Sequence, residues 1–207
     1  MDLERMRDAV RSRLGVAVND AFYTAQQLTD FVNEAIQAIS IEEDWPWLQA
    51  STTFSTQDGV QTYTPLDDWA RTKSLCIEGY NPMQWRTLAE IRQFGTTDED
   101  DAPRYFTVYG DQILLSPVPN TAKTVIHDYV IQEDLLVEDT DTPILPSQFR
   151  FAAVAYASYL ALSRSPGNMP RAQLAMADYQ AWKDRMLKNR RRQTAPTRVR
   201  VRPGSAL

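Results

Sequence analysis

The stretch LTDFVNEAIQAISIEEDWPWL, residues 28–48, sets how this chain folds. Leu28, Phe31, Val32, Ala35, Ile36 and Ile39 recur at the helical period and make one apolar stripe. Thr24 followed by Gln27 has the spacing of a capping box and predicts the helix start. Glu42, Glu43 and Asp44 crowd the other end, where the helix dipole disfavours negative charge. That placement calls for an exposed helix end or a basic partner. Pro46 pushes Trp45 out of helical geometry and ends the helix. Trp45, Pro46 and Trp47 therefore read as the junction between a helical layer and a sheet layer. Two buried indoles contribute at most about 4–6 kcal/mol apiece, from roughly 150–250 Å² of surface each at about 25 cal/mol per Å². The other reading of the pair is an exposed wedge for a protein partner.

Upstream, Leu3, Met6, Val10 and Leu14 have helical spacing, with Gly15 as the stop. Downstream, the sequence reads as β-structure as far as Gln132. STTFSTQ, Asp58-Gly59 and VQTYTP predict a hairpin with a type I′ turn. LDDWA reads as a connector and RTKSLCIEG as the next strand, with Cys76 buried in it. Thr87 and Glu90 cap a short helix, LAEIRQF. RYFTVYG, QILLSP and KTVIHDYVIQ are further strands, the first two separated by Gly110-Asp111.

After a proline-punctuated connector, Ser147 is expected to cap a helix over 148–164. Its predicted face carries Phe149, Ala152, Ala153, Tyr156, Tyr159 and Leu160. Pro170 opens a last helix that reaches Arg192, with Ala175, Tyr179, Trp182 and Met186 as its stripe. The expected fold is α+β: a helical bundle from both ends of the chain with an inserted antiparallel β block. The boundaries are 1–48 for the first helices, 49–133 for the β-rich insert, 134–192 for the last helices and 193–207 for an extended basic tail.

Composition narrows function. The chain has 207 residues, 43% of them hydrophobic, enough for a real core. No apolar run approaches the roughly 20 residues that span a membrane. MDLERMRDAV does not read as a signal peptide. One cysteine, Cys76, and one histidine, His127, leave no support for a disulfide framework, a His/Cys zinc site or a Ser-His or Cys-His nucleophile. Phosphate-loop, dinucleotide, HExxH and EF-hand patterns are missing, so no cofactor and no enzyme is expected. The acidic run Asp98–Asp101 reads as a solvated loop rather than a metal site. Asp67-Asp68 and Glu42-Glu43-Asp44 are poor candidates for paired catalytic carboxylates, since adjacent residues on a turn or helix end diverge.

Charge is uneven. Between Lys183 and Arg202 stand nine basic residues and one acid, a net +8 against –13 for the remainder. Such asymmetry points to a partner rather than a substrate pocket. Arg198-Val199-Arg200-Val201-Arg202 alternates at the strand period and suits adding a strand to a partner's sheet edge. Fifteen residues from Gln193 reach roughly 50 Å when extended, at about 3.3 Å each. A solvated tail and a phosphate-binding tail are the alternatives, the latter without interleaved aromatics to stack on bases.

Several segments together resemble the head-to-tail adaptor (connector, or head-completion) proteins of tailed bacteriophages. They are the DWPWL junction, YTPLDDWARTKSLCI, DAPRYFTVYGDQILLSPVPN and DTPILPSQFRFAAVAYASYLA, spread over residues 24–165. The resemblance implies a structural protein of the virion neck with no catalytic chemistry and no membrane. It implies a homo-oligomeric ring, usually of twelve copies, assembled in the host cytoplasm beneath the portal. Such a ring extends the channel for genomic DNA and meets a downstream neck or tail protein. A C-terminal extension that contacts the portal would here involve Arg190, Arg191, Arg192, Arg198, Val199, Arg200, Val201 and Arg202. The competing classes are a nucleic-acid-binding accessory protein using Lys183–Arg202 and a carboxylate-dependent hydrolase of cell-wall glycans, which needs two carboxyl groups facing across a cleft.

Overall fold

The computed structural model of the protein describes residues 1–18, 20, 22–93 and 102–194. The chain divides into two compact units, one from residues 1–39 with 135–207, the other from Ser40–Asp134.

The first unit is helical. α1 (Leu3–Leu14) starts at Asp2, whose carboxylate accepts from the Arg5 amide, and closes at Gly15. Leu3, Met6, Val10 and Leu14 are all buried, as their spacing predicts. α2 (Ala25–Glu42) begins with the expected capping box. The Thr24 amide donates to Gln27 Oε1 at 3.1 Å, and the Gln27 amide donates to Thr24 Oγ1 at 3.3 Å. Its whole apolar stripe, Leu28 to Ile39, is buried.

α4 (Arg150–Ser163) departs from the predicted face. Ala152, Ala153, Val154, Ala155, Ala157, Ser158, Ala161 and Leu162 are buried, whereas Phe151 is exposed and Tyr156, Tyr159 and Leu160 are half-buried. Small side chains let other helices approach α4 from several directions, so a single stripe is the wrong description. Ser158 satisfies its buried hydroxyl by donating to the Val154 carbonyl at 2.7 Å. Ser147 does not cap α4; it opens a 3₁₀ turn, Ser147–Phe149, that leads into the helix. α5 (Met169–Thr194) buries Ala175, Tyr179 and Met186 and leaves Trp182 half-buried.

The connector before α4 is tied down by hydrogen bonds to side chains. Asn33 Nδ2 donates to the Leu136 carbonyl and Asn33 Oδ1 accepts from the Leu136 amide, at 2.9 and 3.0 Å. Arg150 donates to the carbonyls of Met1, Pro143 and Leu145 at 2.8–3.1 Å.

The second unit holds two sheets. The first has strand order β1-β7-β3, from β1 (Gln49–Ser55), β7 (Thr124–Ile131) and β3 (Trp69–Ile77), all antiparallel. The second has order β2-β6-β5-β4, from β2 (Thr62–Tyr63), β6 (Gln112–Ser116), β5 (Tyr105–Tyr109) and β4 (Gln84–Trp85). The β4–β5 pair is parallel, the one departure from an antiparallel block among the described strands. The capped short helix is α3 (Leu88–Gln93), where Thr87 and Glu90 bond reciprocally. Leu75, Ile77, Val125, Phe106, Ile113 and Leu115, drawn from both sheets, share one core.

The hairpin expected around Asp58-Gly59 does not form. β1 pairs with β7, and β2 pairs with β6 in the other sheet. A type I′ turn needs positive φ at both central residues, and here only Gly59 has it, at +72°. The segment instead runs beside the β6–β7 linker. The Gly59 amide donates to the Pro119 carbonyl at 2.9 Å, and Thr56 Oγ1 donates to the Thr121 carbonyl while accepting from the Lys123 amide, each at 2.8 Å. Both linkers thus pass between the sheets side by side. Gly110 and Asp111, at φ +57° and +58°, supply the two-residue hairpin that joins β5 to β6. LDDWA is not wholly a connector, since Trp69 and Ala70 already belong to β3. Cys76 is half-buried rather than buried: it points away from Leu75 and Ile77, which face the core.

Candidate interaction surfaces

Trp45 stands just ahead of a 3₁₀ turn, Pro46–Leu48, that feeds directly into β1. Its backbone is extended (φ –76°, ψ 132°), as the following proline requires. Trp45 is 1% exposed and stacks on the half-buried Trp47, with ring centroids 4.8 Å apart and planes 12° from parallel. An exposed wedge built on both rings is therefore not present. The acids before it have a basic partner: Asp44 pairs with Arg71 and, at 3.8 Å, with Lys73, both on β3.

The β1-β7-β3 sheet has two unlike faces. One carries Phe54, Val125, Leu75 and Ile77 into the core, together with a polar ladder. In that ladder Trp69 Nε1 donates to Thr72 Oγ1 at 3.1 Å, and Thr72 Oγ1 lies 3.0 Å from His127 Nε2. The indole N–H can only donate, which leaves the threonine proton to serve a neutral imidazole. Tyr129, its ring 5.2 Å from His127, donates to both carboxylate oxygens of Asp68 at 3.2 Å. Burial holds His127 below its ordinary pKa, against a weaker opposing pull from Asp128. Burial and the Asp68 carboxylate push Tyr129 up. Asp68 is thus engaged with a tyrosine and Asp44 with two cations.

This ladder sets an acid sensitivity. A base with a lowered folded pKa takes its proton more readily when unfolded, so its stability contribution is complete above the unfolded value, about 6.5, and falls as pH drops through it. Asp2, Glu90, Asp128 and Asp141 have lowered values because they accept hydrogen bonds, so their contributions are lost only near or below about pH 4. Urea unfolding between pH 8 and pH 3 is expected to show two separate declines. His127→Gln should remove the upper one and keep the lower.

The opposite face is open along β1, where Ser51, Thr53 and Ser55 are exposed, whereas Asp128, Ile126 and Ser74 are half-buried and Val130 is buried. Register places Ser51, Asp128 and Ser74 in one row across the three strands. Ser74 Oγ donates to Asp128 Oδ2 at 2.7 Å, and Ser51 also bonds the carboxylate, which holds it below its usual range. A shallow cleft of about 450 Å³ opens here, lined by Gln49, Ser51, Lys73, Ser74, Asp128 and Tyr129. The serine–aspartate row was not singled out in the sequence, because its members lie on three distant strands. The alternation of QASTTFS was the available signal.

On α5, Arg185, Lys188 and Arg191 are exposed at spacing three and so share a side of the helix. Arg185 lies over the Trp182 ring at 4.6 Å, and Trp182 stacks on Phe151 at 6.3 Å. Arg190 is half-buried nearby. The Arg192 side chain, Arg198–Arg202 and Asp98–Asp101 lie outside the described residues. Among the described residues no helix is long and apolar enough to cross a membrane, and no cluster of three or more His, Cys, Asp or Glu side chains is arranged to hold a metal.

Comparison with known families is decisive. The family described as SU10 adaptor protein matches residues 1–202, nearly the whole chain. The chain belongs to that family. The protein is a phage head-to-tail adaptor, a structural component of the virion neck. Membership implies an oligomer at the head–tail interface with portal and tail neighbours, in a family that is generally non-enzymatic. No curated protein matches the adaptor's sequence.

Proposed function

We propose that twelve copies of the adaptor form a ring beneath the portal and extend the channel through which genomic DNA passes, with the ring's other side meeting the next neck or tail protein. The family match over residues 1–202 carries this reading. Charge supports it. Residues 40–134 contain sixteen acidic and six basic side chains, a net –10, whereas Lys183–Arg202 is net +8. An acidic body facing the channel repels DNA phosphates over a screening length of about 8 Å and lets DNA slide. The basic end of α5, with Arg190, Arg191 and Arg192, is the part assigned to the portal. The stacking of Trp182, Phe151 and Arg185 beside this basic stretch favours one second reading, direct nucleic-acid binding.

Electron microscopy of the purified adaptor mixed with its cognate portal is expected to show a twelve-fold ring at the portal's base. Failure of the full-length protein to associate with portal sinks the adaptor-ring reading. Tight DNA binding by the isolated monomer, weakening steeply with salt and lost when Lys183–Leu207 is removed, selects the second.

A further inference from the structure

The edges of the β1-β7-β3 sheet are unequal. β3, at one edge, is broken by two register shifts and carries Arg71 and Lys73, both devices that discourage strand addition. In the other sheet, β2 and β4 at the edges are only two residues long. β1 is seven residues with an unbroken register against β7, and QASTTFS contains no charge, no proline and no glycine. Among the described strands it is the one long edge without such protection, and an edge of that kind accepts another strand.

We propose that the β1 edge receives the Arg198–Arg202 segment of a neighbouring copy of this chain. Three observations select this occupant. First, the faces match. Gln49, Ser51, Thr53 and Ser55 are exposed, while Ala50, Thr52 and Phe54 are half-buried and Phe54 packs on the core. An added Arg-Val-Arg-Val-Arg strand places its valines beside Phe54 and its arginines beside Ser51 and Thr53. Second, the charges match. The arginines come to the face where Asp128 lies, on a unit of net –10. Lys73 is the cation in that cleft, and it has Asp44 within 3.8 Å. Third, the length suffices. Thirteen residues follow Thr194, three of them before Arg198, and five alternating residues make an ordinary strand.

Donor and acceptor are different parts of the chain. Each copy therefore gives one strand and receives one, a head-to-tail contact of the kind that builds a ring when the rotation between copies closes. The inference rests on the oligomeric adaptor reading. It gives Arg198–Arg202 to the next subunit and leaves Arg190–Arg192 to the portal.

The test is disulfide trapping in portal-bound rings. Thr53→Cys and Arg200→Cys are combined with Cys76→Ser, placing one thiol on the exposed face near the middle of β1 and the other at the centre of the added segment. Mild oxidation is expected to give a ladder of covalent adaptor oligomers on a non-reducing gel, and neither single-cysteine variant should give one. A bond confined within one chain, or assembled rings with no adaptor–adaptor bond, overturns the proposal. A second measurement leaves the tail intact. Ser51→Lys with Thr53→Lys guards the edge on its exposed face, and should raise tryptic cleavage after Arg198 and Arg200 in assembled rings by tenfold or more over the unsubstituted protein. Equal cleavage also overturns it. Ring formation by the unsubstituted protein, scored separately by microscopy, tests the adaptor reading itself.

Discussion

Replacing Trp45 by alanine is expected to destabilise the protein by about 3–5 kcal/mol, the range for deleting a buried large aromatic. The side chain is 1% exposed, so almost all of its apolar surface leaves water on folding. The substitution also leaves a cavity beneath the Trp47 ring, which stacks on it at 4.8 Å. Neighbouring backbone has little freedom to collapse into that space, because Pro46 fixes the chain and Leu48, at the end of the same turn, is itself buried. Trp47→Ala should cost clearly less, since that ring is only half-buried. Urea unfolding measures both. The midpoint should move far more for Trp45→Ala than for Trp47→Ala, with little change in the denaturant slope. Equal effects would mean that the pair acts as one stacked unit, and an effect under 1 kcal/mol at Trp45 would contradict its place in the core.

Periodicity served best where one face of an element meets one neighbour. The α2 stripe, α1 with its Gly15 stop, and the two capping boxes are written in spacings of three and four residues, and the structure reproduces them. Strand existence was legible for the same local reason except at the two-residue β4, but strand partners were not. Asp58-Gly59 looks like a hairpin turn because turn propensity is local. The linker's actual partners, Pro119, Thr121 and Lys123, lie about sixty residues away and outweigh it. α4 misled differently. A stripe method looks for one buried side, and a helix of alanines buried on several sides has none. The candidate surfaces divide in the same way. The basic stretch was plain as composition, whereas the row of Ser51, Asp128 and Ser74 exists only once three strands are in register. The edge character of β1 is likewise a fact of topology that no single segment encodes.

Tyr179→Ala is the second large effect, also expected at about 3–5 kcal/mol by the same cavity argument. Tyr179 is 1% exposed at the middle of α5, and its ring centroid lies 4.8 Å from that of Tyr156 on α4. Tyr156 in turn stacks on Tyr159 at 5.8 Å. α4 offers mostly alanines to its surroundings, so this contact, with the Phe151–Trp182 stack, joins the two helices through large side chains. A double-mutant cycle with Tyr156→Ala isolates it, and a coupling of about 0.5–1.5 kcal/mol is expected for a ring pair of this geometry. The consequence extends beyond stability. Lys183, Arg185, Lys188, Arg190 and Arg191 all follow Tyr179 on the same helix. If α5 is released from α4, the basic end keeps its charge and loses its fixed position. Tyr179→Ala should therefore weaken ring assembly on the portal at a temperature where the variant is still folded by circular dichroism. Arg190→Ala with Arg191→Ala should weaken assembly while leaving the unfolding midpoint much closer to that of the unsubstituted protein. If both variants assemble normally, the end of α5 is not the portal contact, even though Tyr179 holds the helices together.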